Sequence, residues 1–191
     1  MVFNIDVDNT INNFIHQFMF LYNNISGKNI KYEKMTDYDL TSLGIDRYTL
    51  ETLFFKNNRF YETLVPEVGS ISTVKGLVQK GHTVKFVTSI DYDVVQARID
   101  FIAKYFPNVD VNRSLIVTND KNKIFADFVI DDLPSNVKGN VNNNCKYILI
   151  KRPWNEKEYD EICSIPIQER NCYCCENWLD IYDILTSFNI I

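Results

Sequence analysis

Short apolar runs punctuate the chain at wide intervals, and amphipathic stretches fill several of the gaps between them. Val2–Ile5, Val84–Val87, Phe128–Ile130 and Tyr147–Ile150 have the length and composition of buried strands, and Leu115–Val117 reads as a fifth. Ser70–Lys80 carries Ile71, Val74, Leu77 and Val78 at three- and four-residue spacing, with Gly81 as a natural helix stop. Tyr92–Phe106 repeats that period through Val94, Val95, Ile99, Ile102 and Phe106, then meets Pro107. A last helix is expected from about Trp178 to Phe188. Strands alternating with helices predict an α/β fold, a parallel sheet covered by helices on both faces.

Residues 12–65 break the alternation. Phe14, Ile15, Phe18, Met19, Leu21 and Tyr22 keep a helical period without returning to a strand. Tyr32, Tyr38, Leu40, Phe54, Phe55, Phe60 and Tyr61 follow among polar residues. The segment is expected to be a small, mostly helical cap inserted after the first strand. The core would then comprise residues 1–11 and 66–191. An insert there lies over the carboxyl ends of the strands, where open α/β sheets bind ligands, so it reads as a lid. The plainer alternative is a helical hairpin packed on one sheet edge.

Composition narrows the partners. The 191 residues hold 25 acids against 20 lysines and arginines, a formal charge of -5. No basic run appears, which disfavours binding to a polynucleotide or an anionic membrane. No apolar run approaches the ~18 residues needed to span a bilayer. The start turns acidic within six residues, unlike a secretory leader, and the five cysteines are odd in number. The expectation is a soluble cytoplasmic protein with free thiols. Asp outnumbers Glu 16 to 9, and Asp gathers at turns, caps, strand ends and metal sites.

The chemistry lies in what ends each strand. The first runs into Asp6-Val7-Asp8-Asn9-Thr10, the second into Thr88-Ser89, and a late one into Asp131-Asp132; Lys121 and Lys123 precede that last strand. In a parallel sheet these ends share one rim. Carboxylates gathered there repel unless a cation neutralises them, and all-oxygen ligands favour Mg²⁺. The metal and a lysine together would make the rim attractive to a phosphate. Asp6 and Asp8, two residues apart at a strand end, can divide the work of nucleophile and acid/base. Arg152-Pro153-Trp154-Asn155 also follows a strand, and either shapes the rim or forms a plain loop.

Three of these runs carry a resemblance. Val2 through Thr10 resembles the first motif, hhhDxDxT, of the haloacid dehalogenase-like (HAD) phosphatases. Phe86-Val87-Thr88-Ser89 looks like their second motif, and Asp127 through Asp132 like their fourth. Over nearly the whole chain the sequence is similar to the 5′(3′)-deoxyribonucleotidases. The family's helical cap matches residues 12–65, and its lysine run matches Thr118-Asn119-Asp120-Lys121 at the same distance before Asp131. The ending Glu176-Asn177-Trp178 matches too. The resemblance implies a HAD-like core with Asp6 as nucleophile and Asp8 as acid/base. Mg²⁺ would be held by Asp6, the Asp8 carbonyl and one of Asp131 and Asp132, and phosphate by Thr88, Ser89 and Lys121. The base of a nucleoside monophosphate would lie among Phe14, Tyr38 and Phe60, and the resemblance suggests a homodimer. Asn119 stands where the family has arginine, and Ile90 where it has proline.

Two other readings compete. One is a HAD phosphatase for a different small phosphate ester. The other is a phospho-acceptor signalling domain, which also gathers aspartates, a hydroxyl and a lysine on a parallel sheet. Such domains are expected to place the acidic pair first and to lack a lid, whereas this chain has Asp-x-Asp first and the pair last.

Overall fold

The computed structural model describes residues 1–136 and 140–191. The strands are β1 (Val2–Ile5), β2 (Thr83–Thr88), β3 (Leu115–Val117), β4 (Phe128–Asp131), β5 (Lys146–Ile150) and β6 (Cys172–Cys175). They form one sheet in the order β3-β2-β1-β4-β5-β6, with every pairing parallel. β1 sits where the strand order reverses, so the chain leaving it enters the crevice in which such sheets bind ligands. The five strands expected from apolar runs are present. The sixth is Cys172–Cys175, which pairs with β5 along one edge.

Side-chain alternation sends β4 and β5 into two separate cores. Phe128, Ile130, Ile148 and Ile150 join the larger cluster, while Val129, Tyr147 and Leu149 join a smaller one with Tyr159. Helices α4 (Ser70–Gln79), α5 (Val95–Tyr105) and α8 (Trp178–Ser187) contribute to the larger core through Val74, Leu77, Phe101, Ile102, Trp178, Ile181 and Leu185, and a single turn, α6 (Val111–Ser114), leads into β3. The smaller core lies under α7 (Glu156–Ser164), an amphipathic helix with only Tyr159 buried. A sheet with helices on both faces is the α/β architecture that its strand–helix alternation predicts.

Between β1 and α4 the chain forms α1 (Phe14–Ser26), short single turns, α2 (Arg47–Leu50) running into one π turn (Glu51–Phe55), and α3 (Asn58–Glu62). The ends of this segment are clamped to each other. Asn13 N donates to Val65 O at 3.2 Å, Val65 N donates to Asn13 Oδ1 at 2.9 Å, and Asn12 bridges Pro66. Its interior is a ring-on-ring core, with Phe14 edge-on to Phe60 at 5.0 Å and Phe18 edge-on to Phe54 at 4.6 Å.

The expectation of free thiols needs correction. Cys163 at the end of α7 and Cys174 in β6 are disulfide-bonded, with Cα atoms 6.1 Å apart. Packing α7 beside β6 brings the two together, which spacing along the chain could not reveal. Cys145 and Cys175 are buried free thiols. No helix among the described residues is long and apolar enough to cross a membrane.

Candidate active site

The loop after β1 turns sharply so that Asp6 and Asp8 face one crevice. Asn9 adopts a left-handed conformation (φ 61°), and Thr10, Ile11 and Asn12 donate backbone hydrogen bonds to Val7 O. Asn tolerates that conformation better than most side chains because its amide finds local partners. Here Asn9 Oδ1 accepts from Ile15 N at 2.8 Å, which ties the turn to the first turn of α1. Arg152 donates from Nε and Nη2 to the Asn9 carbonyl at 3.0 and 2.7 Å, and Trp178 Nε1 donates to the Thr10 carbonyl at 2.7 Å. Two elements from the far end of the sequence therefore fix the turn that carries the acids.

Asp6 is buried, with 6% of its surface exposed. One oxygen accepts from Thr10 Oγ1 at 3.0 Å; the other is in direct contact with Lys121 Nζ, which also reaches Asp131 Oδ2 at 3.4 Å. Lys123, the other candidate lysine, instead pairs with Asp120 at 2.8 Å on the surface. One oxygen from each of Asp6, Asp131 and Asp132 lies within 4.8 Å of the others, and all three residues are buried. Asp131 accepts from Leu133 N and from Asn136 Nδ2, and Asp132 from Trp154 Nε1 at 2.9 Å. Asn155, also buried, donates to the Asp132 and Ile150 carbonyls. The segment Arg152-Pro153-Trp154-Asn155 thus shapes the rim.

Electrostatics follow from this crowding. Burial, with Asp131 and Asp8 nearby, outweighs Lys121 and raises the Asp6 carboxyl from 3.8 to about 6. Burial, then Asp6 and Asp131, push Asp132 well above the ordinary carboxylate range. Burial works against the charge on Lys121, but Asp6 and Asp131 prevail and hold it above the usual lysine range. One ammonium contacts two of the three buried carboxylates, so negative charge is in excess. That excess and an all-oxygen donor set fit a hard divalent cation.

A cavity of about 520 Å³ opens above these groups, within the usual range for a small-molecule site. Asp6, Asp8, Thr88, Ser89, Lys121 and Asp132 line it, together with Phe14 and Tyr38 from the segment between β1 and α4. Thr88, at the end of β2, is buried, whereas the Ser89 hydroxyl is directed at Asn119. Tyr38 is 62% exposed at the mouth. Phe60 does not reach the cavity. It lies behind Phe14, packed edge-on to Phe14, Phe54 and Tyr61.

Asp8 is held apart from the three-carboxylate cluster. Its oxygens accept from Arg98 Nη2, both at 2.6 Å, and Oδ1 also accepts from Asn12 Nδ2 at 2.9 Å. Sequence reasoning did not mark Arg98. Its signal was position: with Val94, Phe101 and Ile102 it lies on the helical grid of the apolar face of α5.

A family model described as "5' nucleotidase, deoxy (Pyrimidine), cytosolic type C protein" matches residues 1–188. No curated protein matches the sequence closely enough to count as a relative. Among solved structures, a HAD family hydrolase from Deinococcus radiodurans R1, with bound phosphate and sodium, superposes with a TM-score of 0.66 at 8% identity, covering 100% of this chain and 96% of that one. A family IA HAD hydrolase from Entamoeba histolytica gives 0.57 at 13% identity, covering 97% and 99%. A hydrolase from Pseudomonas syringae gives 0.56 at 16% identity, covering 98% of both chains. At these identities the likeness establishes the fold.

Proposed function

The chain belongs to the cytosolic type C 5′-deoxynucleotidase family and is a phosphoric monoester hydrolase with a HAD-like fold, and on that premise we propose that it hydrolyses deoxyribonucleoside monophosphates through an aspartyl-phosphate on Asp6. The observation that carries this reading is the pairing of buried Asp6 with Lys121 at the cavity, with Asp8 two residues away on its wall.

A carboxylate oxygen of Asp6 attacks phosphorus, and the bond from phosphorus to the sugar oxygen breaks with its electron pair on that oxygen. The departing alkoxide takes a proton from Asp8, the general acid of this reading. In the second half Asp8 takes a proton from water, whose oxygen attacks phosphorus and releases Asp6 as a carboxylate. Lys121 and Thr88, which line the cavity, would bind the phosphoryl oxygens. Asp6, Asp131 and Asp132, with the Asp8 carbonyl, would hold Mg²⁺. When bound, the ion offsets the acids and draws charge from the phosphoryl group. Residues 12–65 serve as the cap, with the base against Phe14 and Tyr38. Stacking there recognises a base through its π face.

The test is a phosphate-release panel of dUMP, dTMP, dGMP, the ribonucleotides and sugar phosphates, each with Mg²⁺ or with EDTA. Nucleotide turnover with Mg²⁺ and its loss in EDTA are expected. Undiminished activity in EDTA would remove the metal, and a preference for sugar phosphates would remove the base-binding role of the cap. Family membership also supports a cytosolic location, and the family resemblance supports a homodimer, which light scattering on the eluting protein measures.

A further inference from the structure

Arg98 is one of the largest fully buried side chains in the molecule, and the reaction above does not use it. A guanidinium enclosed by protein is costly unless its donors are satisfied. Here Nη2 alone serves both oxygens of Asp8, at 2.6 Å each, while Nε and Nη1 have no hydrogen-bond partner among the described residues. Over it lies the Tyr61 ring, whose centroid is 5.2 Å from the guanidinium carbon. Tyr61 is on α3, within the insert, and lines the cavity beside Asp8. The neighbouring turn is also tied across the same seam, with Asn58 Nδ2 donating to the Asp93 carbonyl at 3.0 Å. A charge placed only to fill the core would gain nothing from such an incomplete donor set. Among the described residues, both of its hydrogen bonds go to Asp8.

We propose that Arg98 is a positioning residue that holds the Asp8 carboxylate on the cavity wall, away from the Asp6–Asp131–Asp132 cluster and facing the space where the leaving oxygen departs. Without that anchor, Asp8 keeps its contact with Asn12 but can swing toward the cluster or into solvent. One nitrogen shared between two oxygens fixes where the carboxylate sits while leaving it freer to turn than a two-nitrogen fork would. Tyr61 covers the guanidinium from the insert, so the anchor is complete only when core and insert are packed together.

The inference rests on Asp8 acting as the acid, and the experiment separates the two claims. A sugar alkoxide leaves poorly without a proton, whereas p-nitrophenolate leaves nearly unaided. The readout is kcat/KM with Mg²⁺ for a nucleoside monophosphate and for p-nitrophenyl phosphate, which reports steps up to departure of the first product. Asp8→Asn should lose about 10²-fold or more on the nucleotide and much less on the aryl ester. Arg98→Met should show the same substrate-selective loss, Arg98→Lys should recover part of it, and the Asp8→Asn/Arg98→Met double variant should be no slower on the nucleotide than Asp8→Asn alone. Equal losses on both substrates in Arg98→Met, or losses that multiply in the double variant, would reduce Arg98 to a core residue and overturn the proposal. If Arg98→Met does not fold, the substrate ratio in Arg98→Lys decides. If Asp8→Asn itself shows no dependence on the leaving group, the acid assignment fails first.

Discussion

Replacing Asp6 by Asn should abolish turnover and yet make the metal-free protein more stable at neutral pH. The carboxyl is raised from 3.8 to about 6, chiefly by burial. At about 1.4 kcal/mol per pKa unit, ionised Asp6 therefore costs the fold about 3 kcal/mol. The amide removes that charge while retaining an oxygen to accept from Thr10, and Lys121 keeps Asp131 as a partner. The pH dependence has a definite sign. Because the folded state holds the proton more tightly than the unfolded chain, the Asp6 contribution is fully present below about 4 and is lost as pH rises through about 6. The advantage of Asp6→Asn over the wild type should thus approach about 3 kcal/mol at pH 7.5, shrink at pH 5, and vanish near pH 3.5. Urea unfolding of both proteins in EDTA at several pH values measures it. A variant less stable than wild type at pH 7.5 would show that Lys121 already balances the cluster, and would remove the electrostatic reason for a cation.

Three further outcomes test the scaffold. Gly69→Ala places a methyl 3.1 Å from Trp178 Cβ on a backbone at φ +91°, so it should cost about 1–3 kcal/mol in a urea melt. Asn155→Ala leaves the buried Asp132 and Ile150 carbonyls without their donor, which should cost about 1–3 kcal/mol and weaken Mg²⁺ binding by calorimetry. Reducing Cys163–Cys174, which closes an 11-residue separation, should lower stability by about 2–3 kcal/mol while leaving turnover at 25 °C unchanged. A free-thiol titration before and after reduction verifies the bond.

What the sequence made legible was what has a period or a motif. The central strands are apolar enough to stand out, and α4 and α5 follow from their spacing and from the Gly81 and Pro107 that end them. β6 was missed because Cys-Tyr-Cys-Cys has neither alternation nor β-branched residues. It is a strand because β5 offers it an edge. α7 is hard to read because its apolar stripe is only Tyr159, Ile162 and Cys163 in an otherwise polar run. Within the insert the turns between residues 32 and 55 are short and irregular, so no period survives. At the site, Asp6, Asp8, Thr88, Lys121 and the acidic pair come together through parallel strands that end on one rim. Arg98 escaped because a lone arginine in a helix ordinarily belongs to solvent, and only the apolar grid around it told otherwise.

The acid-bearing turn is held from the far end of the chain, through the Trp178 bond to Thr10 O across 168 residues. That bond sets an order of events on the ribosome. β1 is made before the other strands of the sheet yet lies mid-sheet, so it waits for β2, then for β4, and its following turn waits for α8. At about 5–20 residues per second, that last interval is roughly ten to thirty seconds. A nascent chain therefore carries Asp6 and Asp8 long before the turn that bears them is fixed, and phosphatase activity should arrive only once α8 has been made.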